Sequence, residues 1–270
     1  MEKYYDRDNR RLVYVGRNSS PEFWDEHWNA DNFQSSLKPG RYNYVASITK
    51  HFLPKDSIVL EGGCGQAVNV AALQNKGYNV YGVDYAKETV RNVNKYAPEL
   101  KVTIGDVRKL DFANNFFDGY WSLGVIEHFY DGFEDIVSEM YRVVRPGGFV
   151  FVTCPVLSWL RKFKVSLGKY PLCDNPESLR SDFYQFALDP KYVIEVFSAF
   201  GFKQVKISGF DGAKGLKDEV ALLRPLLQPI YRSPLLPVKV LKKILDFSFR
   251  RFANHAGLFV FTKDCKSATR

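Results

Sequence analysis

Residues 57–67, Ser-Ile-Val-Leu-Glu-Gly-Gly-Cys-Gly-Gln-Ala, constrain this chain more than any other stretch. Ile58, Val59 and Leu60 form an apolar run too short for a helix and suited to a buried strand. Glu61 closes the run. Gly62, Gly63 and Gly65 follow, and from Ala67 to Leu73 the chain can run as a helix. Glycine lets a backbone turn tightly and come close to a ligand, because no Cβ stands in the way. The N–H groups that open the next helix point at whatever sits there. Strand, glycine turn and helix in this order handle nucleotides, although a glycine-rich turn is as often only a turn.

The next elements add to that reading. Asn79-Val80-Tyr81-Gly82-Val83 is a second strand, and it ends in Asp84. A carboxylate about twenty residues past the glycines can accept hydrogen bonds from ribose hydroxyls. The dinucleotide fingerprint asks for Gly or Ala three residues after its second glycine, and here Val68 stands three after Gly65. A third strand, 100–104, ends at Gly105-Asp106, and a fourth, 117–122, leads into Leu123-Gly124. Helices are expected over 42–52, 86–96, 134–144 and 190–200, the last N-capped by Asp189 with Pro190 at its first position. Further strands are expected over 149–153, 202–207 and 257–262. This alternation argues an α/β fold with a parallel sheet between helices. Ligands in such sheets bind beyond the carboxyl ends of the strands, where Glu61, Asp84, Asp106 and Leu123 all fall.

The run Glu61-Gly62-Gly63-Cys64-Gly65, the acid at Asp84, Gly105-Asp106 and Arg145-Pro146-Gly147-Gly148 together resemble the class I S-adenosylmethionine-dependent methyltransferases. The resemblance runs from about Leu53 to Pro155. Ala67 stands where the family has its last motif glycine. The resemblance implies a doubly wound, mostly parallel, seven-stranded Rossmann-like sheet whose antiparallel last strand inserts between strands five and six. It implies S-adenosylmethionine as cofactor, held by Glu61, Gly62, Gly63, Cys64, Gly65, Asp84, Tyr85, Asp106, Val107 and Leu123. Asp84 would take the ribose hydroxyls, and Asp106 the adenine amino group with the Val107 N–H near the ring. Residues 1–52 would form an N-terminal lid with Trp28, Arg41 and Tyr42 as its candidate contacts. Residues 53–155 would be the cofactor core. Residues 156–270 would complete the same domain, with acceptor-binding insertions at 156–188 and 211–252.

Methyl transfer needs a base only when the nucleophile must lose a proton. Glu127 and His128 follow strand four on the ligand-binding rim, and His128 can take a proton near neutral pH. A structural histidine closing the loop is the other reading. The Asn/Asp-Pro-Pro-aromatic signature of amino-group methylation on bases or glutamine is missing, since Ser122-Leu123-Gly124-Val125 stands there. That argues against base-flipping chemistry and for a small-molecule or lipid- or glycan-linked acceptor. Tyr170, Phe183 and Tyr184 are candidates to line its pocket, with core packing as the alternative.

Charge divides the chain. Residues 214–270 hold twelve Lys/Arg and four Asp/Glu, which accounts for the whole net charge of +8. The rest is neutral, so the basic part reads as an appended surface. Within it, 238–252 reads as a basic amphipathic helix, with Val238, Leu241, Leu245 and Phe252 on one side and Lys239, Lys243 and Arg250 on the other. It admits three roles: a lid or homodimer surface, a peripheral contact with an anionic membrane, or an RNA contact that no recognised RNA module accompanies. Nucleic acid is the weakest of these. No apolar run is long enough to span a bilayer, the first residues lack a signal-peptide core, and the four cysteines show no metal spacing. A cytoplasmic protein is expected, with residues 1–16 charged and partly mobile. Two rival readings remain: an NAD-dependent oxidoreductase on a similar sheet, disfavoured by Val68 and Asp106, and a cofactor-binding scaffold without catalysis.

Overall fold

The structure is a computed structural model and describes residues 1–17, 19–28, 43–173 and 175–265. Arg41 and Tyr42 lie outside the described residues. The main sheet has seven strands: β3 (Ile58–Gly62), β4 (Asn79–Asp84), β5 (Lys101–Ile104), β6 (Phe117–Leu123), β7 (Val144–Pro155), β9 (Phe202–Phe210) and β10 (Ala256–Lys263). Their order is β5-β4-β3-β6-β7-β10-β9. The β3/β4, β4/β5, β3/β6 and β6/β7 pairs are parallel, and β10 runs antiparallel to both β7 and β9. The order reverses at β3/β6, the switch point beside which ligands bind in open α/β sheets.

The central strands are nearly continuous apolar runs because both faces are covered. On one face Val59, Val80, Val102 and Trp121 pack with α2 (Tyr44–Phe52), α3 (Val68–Gln74) and α4 (Lys87–Tyr96). On the other, Leu60, Tyr120, Val150 and Phe259 pack with α5 (Glu134–Val143) and α7 (Pro190–Ala199). Asn43 caps α2 by accepting from the Ala46 N–H at 2.8 Å, and Asp189 caps α7 through the Lys191 N–H at 2.9 Å. Gly201, at φ +90°, ends α7 in the left-handed conformation expected of a glycine there. Helix α5 stops at Val143, one residue before the expected end, because Val144 already pairs with Phe117.

Most of residues 1–16 form regular structure that packs on the rest of the chain. β1 (Glu2–Asp6) and β2 (Arg11–Val15) form an antiparallel hairpin, and β2 pairs onward with β8 (Phe183–Ala187). The reason is strict alternation in β2. Val13 and Val15 join the main core, while Leu12 and Tyr14 pack with Leu157, Tyr170 and Ala187 on the opposite face. Charged neighbours disguise this pattern in the sequence. Arg11 pairs with Asp6 at 2.9 Å and lies 3.7 Å over the Phe186 ring.

The basic end of the chain also departs from expectation. α6 (Trp159–Ser166), α8 (Gly212–Glu219), α9 (Arg224–Arg232) and α10 (Leu236–Phe249) share a small core of Leu160, Leu216, Leu227 and Ala253. α10 stops before Phe252, and its half-buried side carries Leu245 and Phe249, whereas Leu241 is exposed. The orientation is set by α8. A Cβ on Gly212 would meet the Phe249 carbonyl carbon at 2.7 Å, and one on Gly215 the Ala253 oxygen at 1.6 Å. Two glycines thus admit the backbone at the end of α10, and its register follows. Among the described residues no helix is long and apolar enough to cross a membrane.

Candidate active site

A cavity of about 230 Å³ opens beyond the carboxyl ends of β3, β4, β5 and β6. Gly63, Asp84, Tyr85, Asp106, Val107, Leu123 and His128 line it, seven residues that the strand-end argument and the family resemblance single out. Trp24 and Trp28 of helix α1 (Pro21–Trp28) close one side. Arg108, Val125 and Phe129 also contribute, and sequence reasoning missed them. The signal for Arg108 was a cation two residues after a strand-end carboxylate.

The glycine turn is held from within. The Gly63 and Cys64 N–H groups both donate to the Val83 carbonyl, at 2.8 and 3.1 Å. The Gly65 N–H donates to Asp84 Oδ2 at 2.7 Å, and the Ala86 N–H to Oδ1 at 2.9 Å. These four donors are therefore committed to the protein rather than free for an anion. Gly63 sits at φ +75°, and a Cβ there would meet Val125 Cγ2 at 2.5 Å. Gly65 sits at φ +48°, and a Cβ there would meet Trp28 Cε2 at 2.9 Å. Glycine is needed at both positions for backbone conformation and for close approach.

Gly62, Cys64 and Gly65 do not line the cavity. Gly62 makes room for the Tyr120 side chain, and Cys64 is buried in the core beneath α3. Glu61 is also buried: Asn69 Nδ2 donates to Oε1 at 2.9 Å, while Oε2 has no partner. Burial pushes the Glu61 carboxyl up to about 8, so it is largely protonated at neutral pH. Burial likewise raises Asp84, against the pull of the backbone N–H groups that it accepts. Asp106 is held below the usual carboxylate range by hydrogen bonds from Arg108, whose Nη2 lies 2.7 Å from Oδ2.

Glu127 and His128 take different positions. They form a single 3-10 turn after β6, and His128 faces the cavity while Glu127 turns into the core near Cys154. Glu127 Oε2 is buried and unpartnered, and burial pushes its carboxyl up to about 8. His128 Nδ1 lies 2.7 Å from the Tyr184 carbonyl oxygen. A carbonyl only accepts, so this contact places the proton on Nδ1 and leaves Nε2 with its lone pair. Burial lowers the His128 pKa to about 4, so the ring is neutral across physiological pH. Trp24 and Tyr184 pack edge-on against it, at centroid distances of 5.0 and 5.2 Å.

Helix α1 is fixed over this rim by its own bonds. Asp25 Oδ1 accepts from the Thr89 N–H at 2.8 Å and from its hydroxyl at 3.0 Å. The Tyr85 hydroxyl donates to the Ser19 carbonyl at 3.1 Å. Of the candidates for the acceptor pocket, Tyr170 and Phe183 take the core-packing alternative. The Tyr170 hydroxyl donates to Glu219 at 2.6 Å, and Phe183 packs against Tyr130 and Phe186.

The methyltransferase domain family matches residues 60–152. A probable S-adenosylmethionine-dependent methyltransferase of Mycolicibacterium smegmatis is 34% identical over 97 residues, which cover 36% of this chain and 37% of that protein. The sterol 24-C-methyltransferase of Kluyveromyces lactis is 24% identical over 57% of this chain and 46% of its own length. The chain thus spans less than half the length of these curated relatives. In fold it is similar to a protein described as a methyltransferase, solved with the Trm112 methyltransferase activator of Haloferax volcanii (TM-score 0.57, 16% identity, 92% of this chain and 99% of that one). It is also similar to the geranyl diphosphate C-methyltransferase of Streptomyces coelicolor (TM-score 0.53, 13% identity, 91% and 99%). Strand order, strand-end carboxylates, left-handed glycines and matched domain agree: the chain carries a class I S-adenosylmethionine-dependent methyltransferase domain, and S-adenosylmethionine is its cofactor.

Proposed function

We propose that this chain methylates a small-molecule or lipid- or glycan-linked acceptor in the cavity between the glycine turn and His128. The observation that carries this reading is the composition of the cavity wall. One side offers Gly63, Asp84 and Asp106, and the other offers an imidazole nitrogen among aromatic rings. When bound, S-adenosylmethionine supplies a methyl group already activated on a sulfonium. Asp84 would hold the ribose hydroxyls while keeping the glycine turn closed through the Gly65 N–H. Asp106, shared with Arg108, would take the adenine amino group beside Val107. Glu61 would support the turn from below through Asn69.

For an acceptor with a proton to lose, His128 Nε2 is the receiving atom. Its depressed pKa makes it a weak base that is always in its acceptor form. It therefore suits an acceptor whose proton departs as the new bond forms. Trp24, Trp28 and Phe129 would exclude water and align the acceptor, and alignment supplies much of the rate in such a transfer. The Asn/Asp-Pro-Pro-aromatic signature of base methylation is missing after β6, where Ser122-Leu123-Gly124-Val125 stands. The sterol and isoprenoid methyltransferases among the similar proteins are compatible with an apolar acceptor, and a lipid-linked one would bring the chain to a membrane surface.

Calorimetric titration with S-adenosylmethionine, with NAD as the control, tests the cofactor assignment. Saturable binding to the wild type, weakened at least about tenfold in Asp84→Asn, is expected, since one good charge-assisted hydrogen bond is worth about 1.5–3 kcal/mol. Preference for NAD would overturn it. Incubation with labelled cofactor and pooled lipid or glycan acceptors tests the acceptor class. His128→Ala should then lower turnover while leaving cofactor affinity within about twofold, the signature of a group that serves the acceptor.

A further inference from the structure

We infer that α10 and the neighbouring outward faces of α9 and α6 form a surface that lies on an anionic lipid bilayer. This inference does not depend on the acceptor. It starts from an imbalance in α10. Half of its fourteen residues or more are apolar, yet none is buried. Leu236, Val240, Ile244 and Phe247 recur at intervals of four, four and three residues, which places them along one face of the helix. They are 50–75% exposed. The side turned to the protein is different, carrying Leu245 and Phe249 against the shared small core. The outward stripe is thus left over after the helix has packed.

Exposed apolar side chains recur on the helices that share this core. Leu226 of α9 is 65% exposed and Trp159 of α6 is 72% exposed, although both helices contribute an inward residue, Leu227 and Leu160, to that same core. Exposed apolar area of this extent on one group of helices marks an interaction surface.

Charge identifies the occupant. From 224 to 251 the chain has seven Lys/Arg and a single acid, Asp246, whose Oδ1 accepts from the Ala213 N–H at 3.0 Å. Lys239 and Lys243 sit on the flank of the apolar stripe, by their spacing from Val240 and Ile244. An apolar stripe edged with cations is the geometry of a helix lying in the headgroup boundary of an anionic membrane. A second copy of the chain would set this cationic edge against its own kind. A nucleic acid would satisfy the cations but leave Leu236, Val240 and Ile244 uncovered.

Vesicle flotation tests the inference, using the full chain with phosphatidylcholine vesicles and with vesicles containing phosphatidylglycerol. Binding to the anionic vesicles alone, weakened by salt, is expected. Ile244→Glu with Phe247→Glu should abolish it, and Lys239→Ala with Lys243→Ala should weaken it by about fivefold per lysine removed. All four positions are solvent-exposed and outside the cavity, so S-adenosylmethionine affinity in the same variants should stay at the wild-type value. That separates failure of this surface from failure of the methyltransferase reading. Absence of wild-type binding, or equal binding to neutral vesicles, would overturn the inference. So would a concentration-dependent dimer, or an RNA complex, that the Glu variants abolish while vesicles are ignored.

Discussion

Gly63 shows how much of the site a single residue determines. Its φ of +75° is one that an L side chain enters at a cost of roughly 1–2 kcal/mol. Its missing Cβ leaves the space that Val125 Cγ2 fills at the cavity edge. Val125 is β-branched and cannot swing clear without leaving its preferred rotamer. Gly63→Ala should therefore weaken S-adenosylmethionine binding by at least about tenfold and lower the melting temperature. Gly168→Ala is the control, since Gly168 has φ +63° with nothing within 4 Å of a new Cβ. It should show the backbone cost alone and no loss of affinity, as calorimetry would report. The strand-end logic could find Gly63, Asp84 and Asp106, because position relative to a strand is written in local sequence. It could not separate Glu127 from His128. Adjacent residues in a 3-10 turn point in different directions, and only the Tyr184 carbonyl, 56 residues away, decides which one faces the cavity.

Elements were legible where one pattern decided them. The parallel strands read as apolar runs bounded by turn residues, and β10 took its place between β7 and β9. The β1–β2 hairpin, α8 and α9 were hidden, as was the way α10 packs, because their partners lie far along the chain. Glu219, near the end of α8, is the clearest instance. Its carboxylate pairs with Lys3 of β1 at 2.7 Å, with Arg161 of α6 at 3.0 Å and with Lys164 at 2.7 Å. Burial alone would raise its pKa, but Arg161 and Lys3 hold it down to about 2. Arg161 and Glu219 side chains are both 1% exposed. Glu219→Gln would leave a buried guanidinium without its counter-charge, a loss of about 3–5 kcal/mol by the usual measure of a broken buried pair. Denaturant unfolding should show this, and proteolysis should cut the β1–β2 hairpin and α6 first. Unchanged stability would mean that solvent reaches Arg161.

The whole molecule titrates against itself, and its stability should peak in mildly acidic solution. In the folded state Glu61 and Glu127 hold their protons up to about 8, whereas in the unfolded chain they release them near 4.5. Between those values the folded state binds more protons, so their contribution is full below about 4.5 and is lost as pH rises towards 8. His128 and His255 act in the opposite direction. Burial keeps them neutral down to about 4 and about 2, while the unfolded chain gains protons below 6.5. Stability from that source falls as pH drops below 6.5, and Glu219 adds a further loss below 4.5. From 4.5 to 6.5 the two glutamates and the two histidines offset each other. Above 6.5 only the glutamates act. The wild type should therefore lose thermal stability from about pH 6.5 to about pH 8.5. Glu127→Gln keeps the shape of the side chain but removes its ionisation, and Oε2 has no partner to lose. Its melting temperature should fall less over the same range, with the two proteins diverging as pH rises. Parallel curves would show that water or a partner already stabilises the Glu127 carboxylate in the folded state.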